Sequence, residues 1–271
     1  MPATLPDLET VALSRGASNE AALRIELNRP DRMNAWDKQL GLDLLAAVEL
    51  AAGDPSIRAV TITGAGRAFS SGADLRAGFD PRPDGRPDVG SALRERYHPI
   101  ITGIRRMPKP VLAAVNGPAV GIGCSLALAC DLVLARESAY LLLAFVNIGL
   151  VPDGGSSVFV PARAGAGRAA AMAMLGERIP AAQAHAWGLV DLVAPDEEFA
   201  GAADVLEERL ATGPTRSYAA SKVEVNARAY ANLDEQLELE ASLQEEMAGS
   251  GDFAEGVAAF LEKRTPRFAG E

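Results

Sequence analysis

Apolar and polar residues alternate over residues 21–28 (AALRIELN), and the run stops at Arg29-Pro30, which predicts a strand entering a turn. The period then changes. Over residues 37–53, Leu40, Leu44, Leu45 and Val48 recur at helical spacing, with Asp37 placed to cap the helix. Residues 59–63 (AVTIT) and 111–115 (VLAAV) are short apolar or β-branched runs ending at Gly64 and at Asn116-Gly117, the pattern of buried parallel strands. Residues 132–135 and 140–144 predict further strands, and residues 125–130 a short buried helix. Strand and helix alternating in this way predict an α/β fold.

Past Pro195 the pattern becomes helical, with predicted helices over residues 199–212, 214–231 and 233–248. The chain therefore divides into a core, residues 1–195, and a helical region, residues 196–271. In the third helix Glu235, Glu238, Glu240, Glu245 and Glu246 predict a solvated face opposite Leu233, Leu237, Ala241 and Met247. Residues 77–90 (AGFDPRPDGRPDVG) are rich in proline and glycine with little to bury, which predicts a surface loop, a lid or a tolerated insertion.

At 271 residues and 48% hydrophobic content the chain can bury a full core. Its net charge of -10 argues against nucleic acid or an anionic membrane as partner. The N-terminal stretch MPATLPDLETVALSRG has neither a basic start nor an apolar stretch, and no run approaches the roughly 18 apolar residues of a membrane span, so a cytoplasmic protein is expected. Cys124 and Cys130 share one apolar segment, which predicts buried inert thiols rather than a disulfide or zinc site. No cluster has metal-ligand spacing, and no cofactor is expected.

Two glycine-rich segments carry the candidate chemistry: GRAFSSGADL (residues 66–75) and NGPAVGIGCSLALACD (residues 116–131). In the second, Gly121-Ile122-Gly123 opens a helix, where free amide N–H groups and the helix dipole favour negative charge. In the first, a tight turn after Phe69 can aim another amide outward. Either segment alone equally suits close backbone packing. Converging, two amides can hold the oxyanion formed when a thioester loses its α-proton, and each such donor contributes about 2.7 to 4 kcal/mol. Gly64-Ala65-Gly66 lacks the third glycine and the helix of a dinucleotide site, and no phosphate-binding G-x-x-x-x-G-K-[ST] occurs.

Taken together, NRPDRMNAW, ITGAGRAFSSGADL, PKPVLAAVNGPAVGIGCSLALACD, IGLVPDGGSS, AWGLVDLV and EGVAAFLEKRTPRF resemble, in order, the enoyl-CoA hydratase/isomerase (crotonase) superfamily. The resemblance implies a spiral of ββα units with a C-terminal helical trimerisation region, a homotrimer or dimer of trimers, and an acyl-CoA substrate, the coenzyme being part of that substrate. By the family pattern the amides of Ala73 and Ile122 form the oxyanion hole, although Ile122 stands where glycine is usual. Met33, Ala35, Ser71, Asp74 and Leu75 match positions near the coenzyme, and Lys263 matches a lysine that reaches its phosphates.

Hydratases of this superfamily resemble the chain but place two glutamates where Ser125 and Phe145 stand, and neither residue can transfer the protons of hydration unaided. Asp153 remains. By itself it reads as a turn aspartate before Gly154-Gly155; within the family pattern it matches the acid/base of isomerases. FVNIGLVPDGGSS and LGERIPAAQAHAWGLV are most similar to the 1,2-epoxyphenylacetyl-CoA isomerases of phenylacetate degradation, which also shift the double bond of 3-enoyl thioesters. An acyl-CoA isomerase is thus expected, acting on an aromatic epoxide or an aliphatic enoyl group. The alternatives are a hydratase with another base and a noncatalytic acyl-CoA-binding or RNA-binding member. His98 and His185 read as packing histidines, His98 and Tyr97 being weaker pocket candidates, and Asp131 reads as structural.

Overall fold

The computed structural model describes residues 4–271; residues 1–3, where the stretch read for a targeting signal begins, lie outside the described residues. β1 (Val11–Arg15) pairs antiparallel with β2 (Ala22–Leu27), Val11 facing Leu27. α1 (Lys38–Gly53) begins at the predicted cap, where the Asp37 carboxylate accepts from the Leu40 N–H at 2.9 Å. It returns the chain to β3 (Ala59–Gly64), parallel to β2. The end of the 77–90 segment runs into an irregular helix made of α2 (Val89–Ala92), a π turn (Leu93–Tyr97) and α3 (His98–Arg106).

Two turns of a spiral follow, each giving one strand to a large sheet and one to a small sheet before a helix. The first comprises β4 (Val111–Val115), β5 (Ala119–Val120) and α4 (Ile122–Ala129). The second comprises β6 (Leu132–Arg136), β7 (Tyr140–Leu142), a 3-10 turn (Ala144–Ile148), α5 (Ser156–Ala164) and α6 (Ala166–Leu175). β8 (Ile179–Pro180), α7 (Ala181–Ala186) and β9 (Leu192–Ala194) complete the strands. The large sheet has six strands in the order β1-β2-β3-β4-β6-β9, and the small sheet three, β5-β7-β8. This is the α/β crotonase fold that the sequence predicted.

The chain ends in α8 (Phe199–Thr212), α9 (Thr215–Ala229), α10 (Leu233–Met247) and α11 (Gly251–Glu262). All five residues of β4 are buried because the sheet is covered on both faces. On one face Ile25, Ile62, Ala113 and Val133 join α1, α3 and α4 in the main core. On the other, Ala59, Leu112, Ala114 and Leu134 pack against Phe199, Ala203 and Leu210 of α8. Burying Phe199 and Leu210 there contributes about 1.5 to 3 kcal/mol each, enough to make α8 an integral layer.

Several boundaries differ from expectation. The strand predicted over residues 140–144 ends at Leu142, because Leu143 turns the chain into the 3-10 turn. α4 starts three residues before the predicted position, with Gly121 as its cap. β1 was not anticipated: it is an edge strand with a single fully buried residue, Val11, so its pattern is faint. Among the described residues no helix is long and apolar enough to cross a membrane.

Candidate active site

The two glycine-rich segments meet side by side. Ser70 N–H donates to Pro118 O at 3.0 Å and Val120 N–H to Ser70 O at 2.9 Å, joining the segments as a short ladder. Just beyond it Gly72 lies against Val120 and Gly121: a Cβ on Gly72 would stand 3.0 Å from Val120 O. Only glycine permits this approach, and it brings the following residues, Ala73 and Ile122, to the wall of one cavity of about 590 Å³. Among the described residues no protein acceptor bonds the N–H of Ala73 or of Ile122, whereas the adjacent Gly121 and Asp74 amides are bonded to Leu142 O and Trp36 O. Ile122 is the first residue of α4, so its amide has no partner within the helix.

The first segment is pinned from behind by Asn34, whose buried amide donates to Ala68 O at 2.8 Å and to Ala65 O at 3.0 Å. Met33, Ala35, Ser71, Asp74 and Leu75 all line the cavity. Asp74 is committed locally, since Arg29 holds its carboxylate at 3.2 Å. Lys263 is not brought to the cavity; it is the exposed C-cap of α11, and its neighbour Arg264 lines the cavity instead. Exposed Arg32, Arg67 and Arg76 also line it and, among the described residues, make no ion pair. Arg67 and Arg76 lie within and just after the first glycine motif in the sequence, a signal that the motif carries beside its glycines.

At the inner end stands Asp153, 5% exposed. Its loop presses against the start of α4: a Cβ on Gly154, whose φ is +65°, would fall 2.5 Å from Ile122 Cδ1. The Asp153 carbonyl accepts from Ser125 Oγ at 2.7 Å and Ser156 Oγ at 2.8 Å. Ser125, buried and at a hydratase glutamate position by resemblance, therefore spends its hydroxyl on holding the aspartate loop. Phe145 presents an apolar ring to the cavity near Gly121.

One carboxyl oxygen of Asp153, Oδ2, accepts from Gln244 Nε2 at 2.8 Å; the other, Oδ1, has no partner among the described residues. Burial drives the Asp153 pKa well above the usual carboxylate range, nearby Glu240 adds to the rise, and the Gln244 bond opposes it. Glu240 overturns the expectation of a wholly solvated acidic face on α10: it is 3% exposed. The reason is the start of α5, whose Gly155 and Ser157 amides donate to its carboxylate at 2.8 and 3.0 Å. Burial raises the Glu240 pKa against these bonds. Gln244 was missed altogether, lying 91 residues from Asp153 in sequence.

The other candidates sort cleanly. Tyr97 lines the cavity, but His98 does not; burial lowers the His98 pKa to about 4. His185 Nδ1 meets Val190 O at 3.0 Å as a packing contact. Asp131 is structural, held by Lys222 at 2.7 Å and Arg105 at 3.0 Å. Cys124 and Cys130 are buried free thiols whose pKa values burial pushes up to about 12. Residues 77–90 contribute Phe79 and Val89 to the cavity wall, and Arg82 of this loop pairs with Glu245 on α10.

Comparison with known proteins agrees with this architecture. The sequence profile described as enoyl-CoA hydratase/isomerase matches residues 17–271. The 1,2-epoxyphenylacetyl-CoA isomerase of Escherichia coli is 39% identical over 93% of this chain and 96% of its own. A protein of Rhodobacter capsulatus described as a probable enoyl-CoA hydratase is 43% identical, covering 93% and 96%. The crystal structure of an enoyl-CoA hydratase from Mycobacterium avium subsp. paratuberculosis superposes with a TM-score of 0.88 at 40% identity, covering 97% of this chain and 100% of that one. A spiral of this order, with near-complete coverage in sequence and structure, establishes that the chain belongs to the enoyl-CoA hydratase/isomerase family.

Proposed function

We propose that this protein is an acyl-CoA isomerase that converts 3-enoyl-CoA to 2-enoyl-CoA or 1,2-epoxyphenylacetyl-CoA to oxepin-CoA. The observation that carries the proposal is Asp153, a buried carboxyl with one unpartnered oxygen, in the same cavity wall as two unbonded amides. In a double-bond shift Oδ1 takes the proton from the carbon next to the thioester carbonyl. The Ala73 and Ile122 amides hold the resulting enolate oxygen, and the same carboxyl returns the proton two carbons further along. One group that both takes and returns a proton works best with a pKa near the working pH, and burial moves Asp153 in that direction. Arg32, Arg67 and Arg76 offer cations to the coenzyme phosphates. The chemistry consumes no cofactor.

Hydration is the second reading, favoured by the description of the Rhodobacter relative. It needs a second group to manage water, and at the two positions in question Ser125 is occupied with the Asp153 carbonyl while Phe145 has no proton to give. The test is turnover of 3-enoyl-CoA and of crotonyl-CoA by the wild type and by Asp153→Asn. The isomerase predicts a loss of about 10²- to 10⁴-fold in kcat for the variant with the first substrate and little water addition to the second. Rapid hydration of crotonyl-CoA, or full isomerase turnover by Asp153→Asn, would overturn the assignment.

A further inference from the structure

Tyr97 closes the π turn that interrupts the helix between α2 and α3, and such turns recur at functional sites. Its ring meets Trp36 edge to face, with centroids 5.0 Å apart and planes at 77°, so the phenol is held in one orientation. The residue is 6% exposed and lines the cavity that also contains Asp153. Among the described residues no protein group hydrogen-bonds its hydroxyl. Of the other residues that line this cavity, Val89, Ala92, Leu93, Phe145 and Leu150 are apolar, and the polar pair Asp153 and Gln244 bond each other rather than Tyr97.

A tyrosine hydroxyl in such a place has to be served by whatever enters the cavity. Water can serve it while the cavity is open. An acyl group of carbon and hydrogen alone would expel water and strand the hydroxyl, a loss of roughly five- to a hundredfold in affinity, whereas an acyl group with an acceptor oxygen would take up the bond. We propose that Tyr97 is a specificity-determining hydrogen-bond donor that selects acyl groups bearing an oxygen, such as an epoxide, a ring ether or a phenol, over their all-carbon counterparts. Burial and the neighbouring Asp153 both push the phenol pKa up, so the hydroxyl keeps the proton that it donates. The proposal rests on the isomerase reading for the thioester anchor and adds the substrate class.

The test is equilibrium binding of phenylacetyl-CoA against its 2-, 3- and 4-hydroxy derivatives, by calorimetry on the full-length protein. Wild type is expected to bind at least one hydroxylated thioester about tenfold more tightly than phenylacetyl-CoA, and Tyr97→Phe to bring that ratio to within about twofold. An equal affinity of wild type for all four, or a ratio that survives in Tyr97→Phe, would overturn the proposal. The wild-type ratio needs no variant, so it decides even where Tyr97→Phe fails to fold. Asp153→Asn separates the two claims: full isomerase turnover by that variant sinks the acid/base role while leaving the Tyr97 ratio to be judged by itself. Failure of wild type to bind any of the four thioesters would overturn the Tyr97 proposal, while the isomerase reading stands or falls on 3-enoyl-CoA turnover.

Discussion

Gln244 holds Asp153 by one oxygen only: its Nε2 bridges Asp153 Oδ2 at 2.8 Å and Val151 O at 2.7 Å, and Oδ1 is left to the cavity. The amide donor favours the ionised carboxyl against the burial that opposes it. Gln244→Leu removes that donor, so the Asp153 pKa should rise further. The acid limb of kcat/KM against pH is expected to move about one to two units higher, since a bond to a charged group is worth about 1.5 to 3 kcal/mol. A profile that falls in height without moving would make Gln244 a packing residue.

Asp153 also links stability to pH. Its folded pKa is raised above the unfolded value, so the folded state binds the proton more tightly. The stabilisation is full below the unfolded pKa and is lost as pH rises through the folded one. Asp153→Asn has no such proton. Urea unfolding should show the variant gaining on wild type by up to about 1.4 kcal/mol per pH unit across that window. A difference that stays constant between pH 5 and 8 would contradict the raised pKa.

Ser125→Ala deletes a buried hydroxyl that holds the Asp153 carbonyl. One of two serine donors to that carbonyl is lost, while Ser156 remains. A destabilisation of about 1 to 2 kcal/mol is expected by chemical denaturation, with a smaller kcat loss than for Asp153→Asn. A kcat loss as large as that of Asp153→Asn would mean that Ser125 takes a direct part in the chemistry.

Gly154→Ala tests the contact between the aspartate loop and α4. The added Cβ would meet the Ile122 side chain and sit at a positive φ that alanine resists. A cost of about 1 to 3 kcal/mol is expected, together with lower kcat as Asp153 shifts relative to the Ile122 amide. Unchanged stability would show that the loop yields freely.

The elements most legible in the sequence were those whose burial is local and periodic. β4 matched its predicted span, and so did α8; Asp37 caps α1 as its position before the apolar repeat implied. The two glycine-rich segments were legible because close backbone approach leaves a residue signature, whereas Asp153 by itself looks like a turn aspartate and is singled out only by the family resemblance. What escaped depends on contacts across the fold. Glu240 looks like one acid among several on α10, and only the α5 amides, more than 80 positions away, turn it inward. Gln244 carries no charge or motif to mark it. Lys263 was placed by pattern alone, and the αL cap of α11 brings Arg264 to the cavity in its stead.

Glu240 and Gln244 lie one turn apart on α10, and between them they hold both ends of the Asp153 loop. The order of events during synthesis follows from this. A chain leaving the ribosome carries Asp153 well before α10 has emerged, and before that helix docks the carboxyl lacks both the Gln244 bond and the neighbouring Glu240. Its raised proton affinity depends in part on residues near the end of the chain, so a partly made or partly unfolded molecule has the aspartate without the full setting that tunes it.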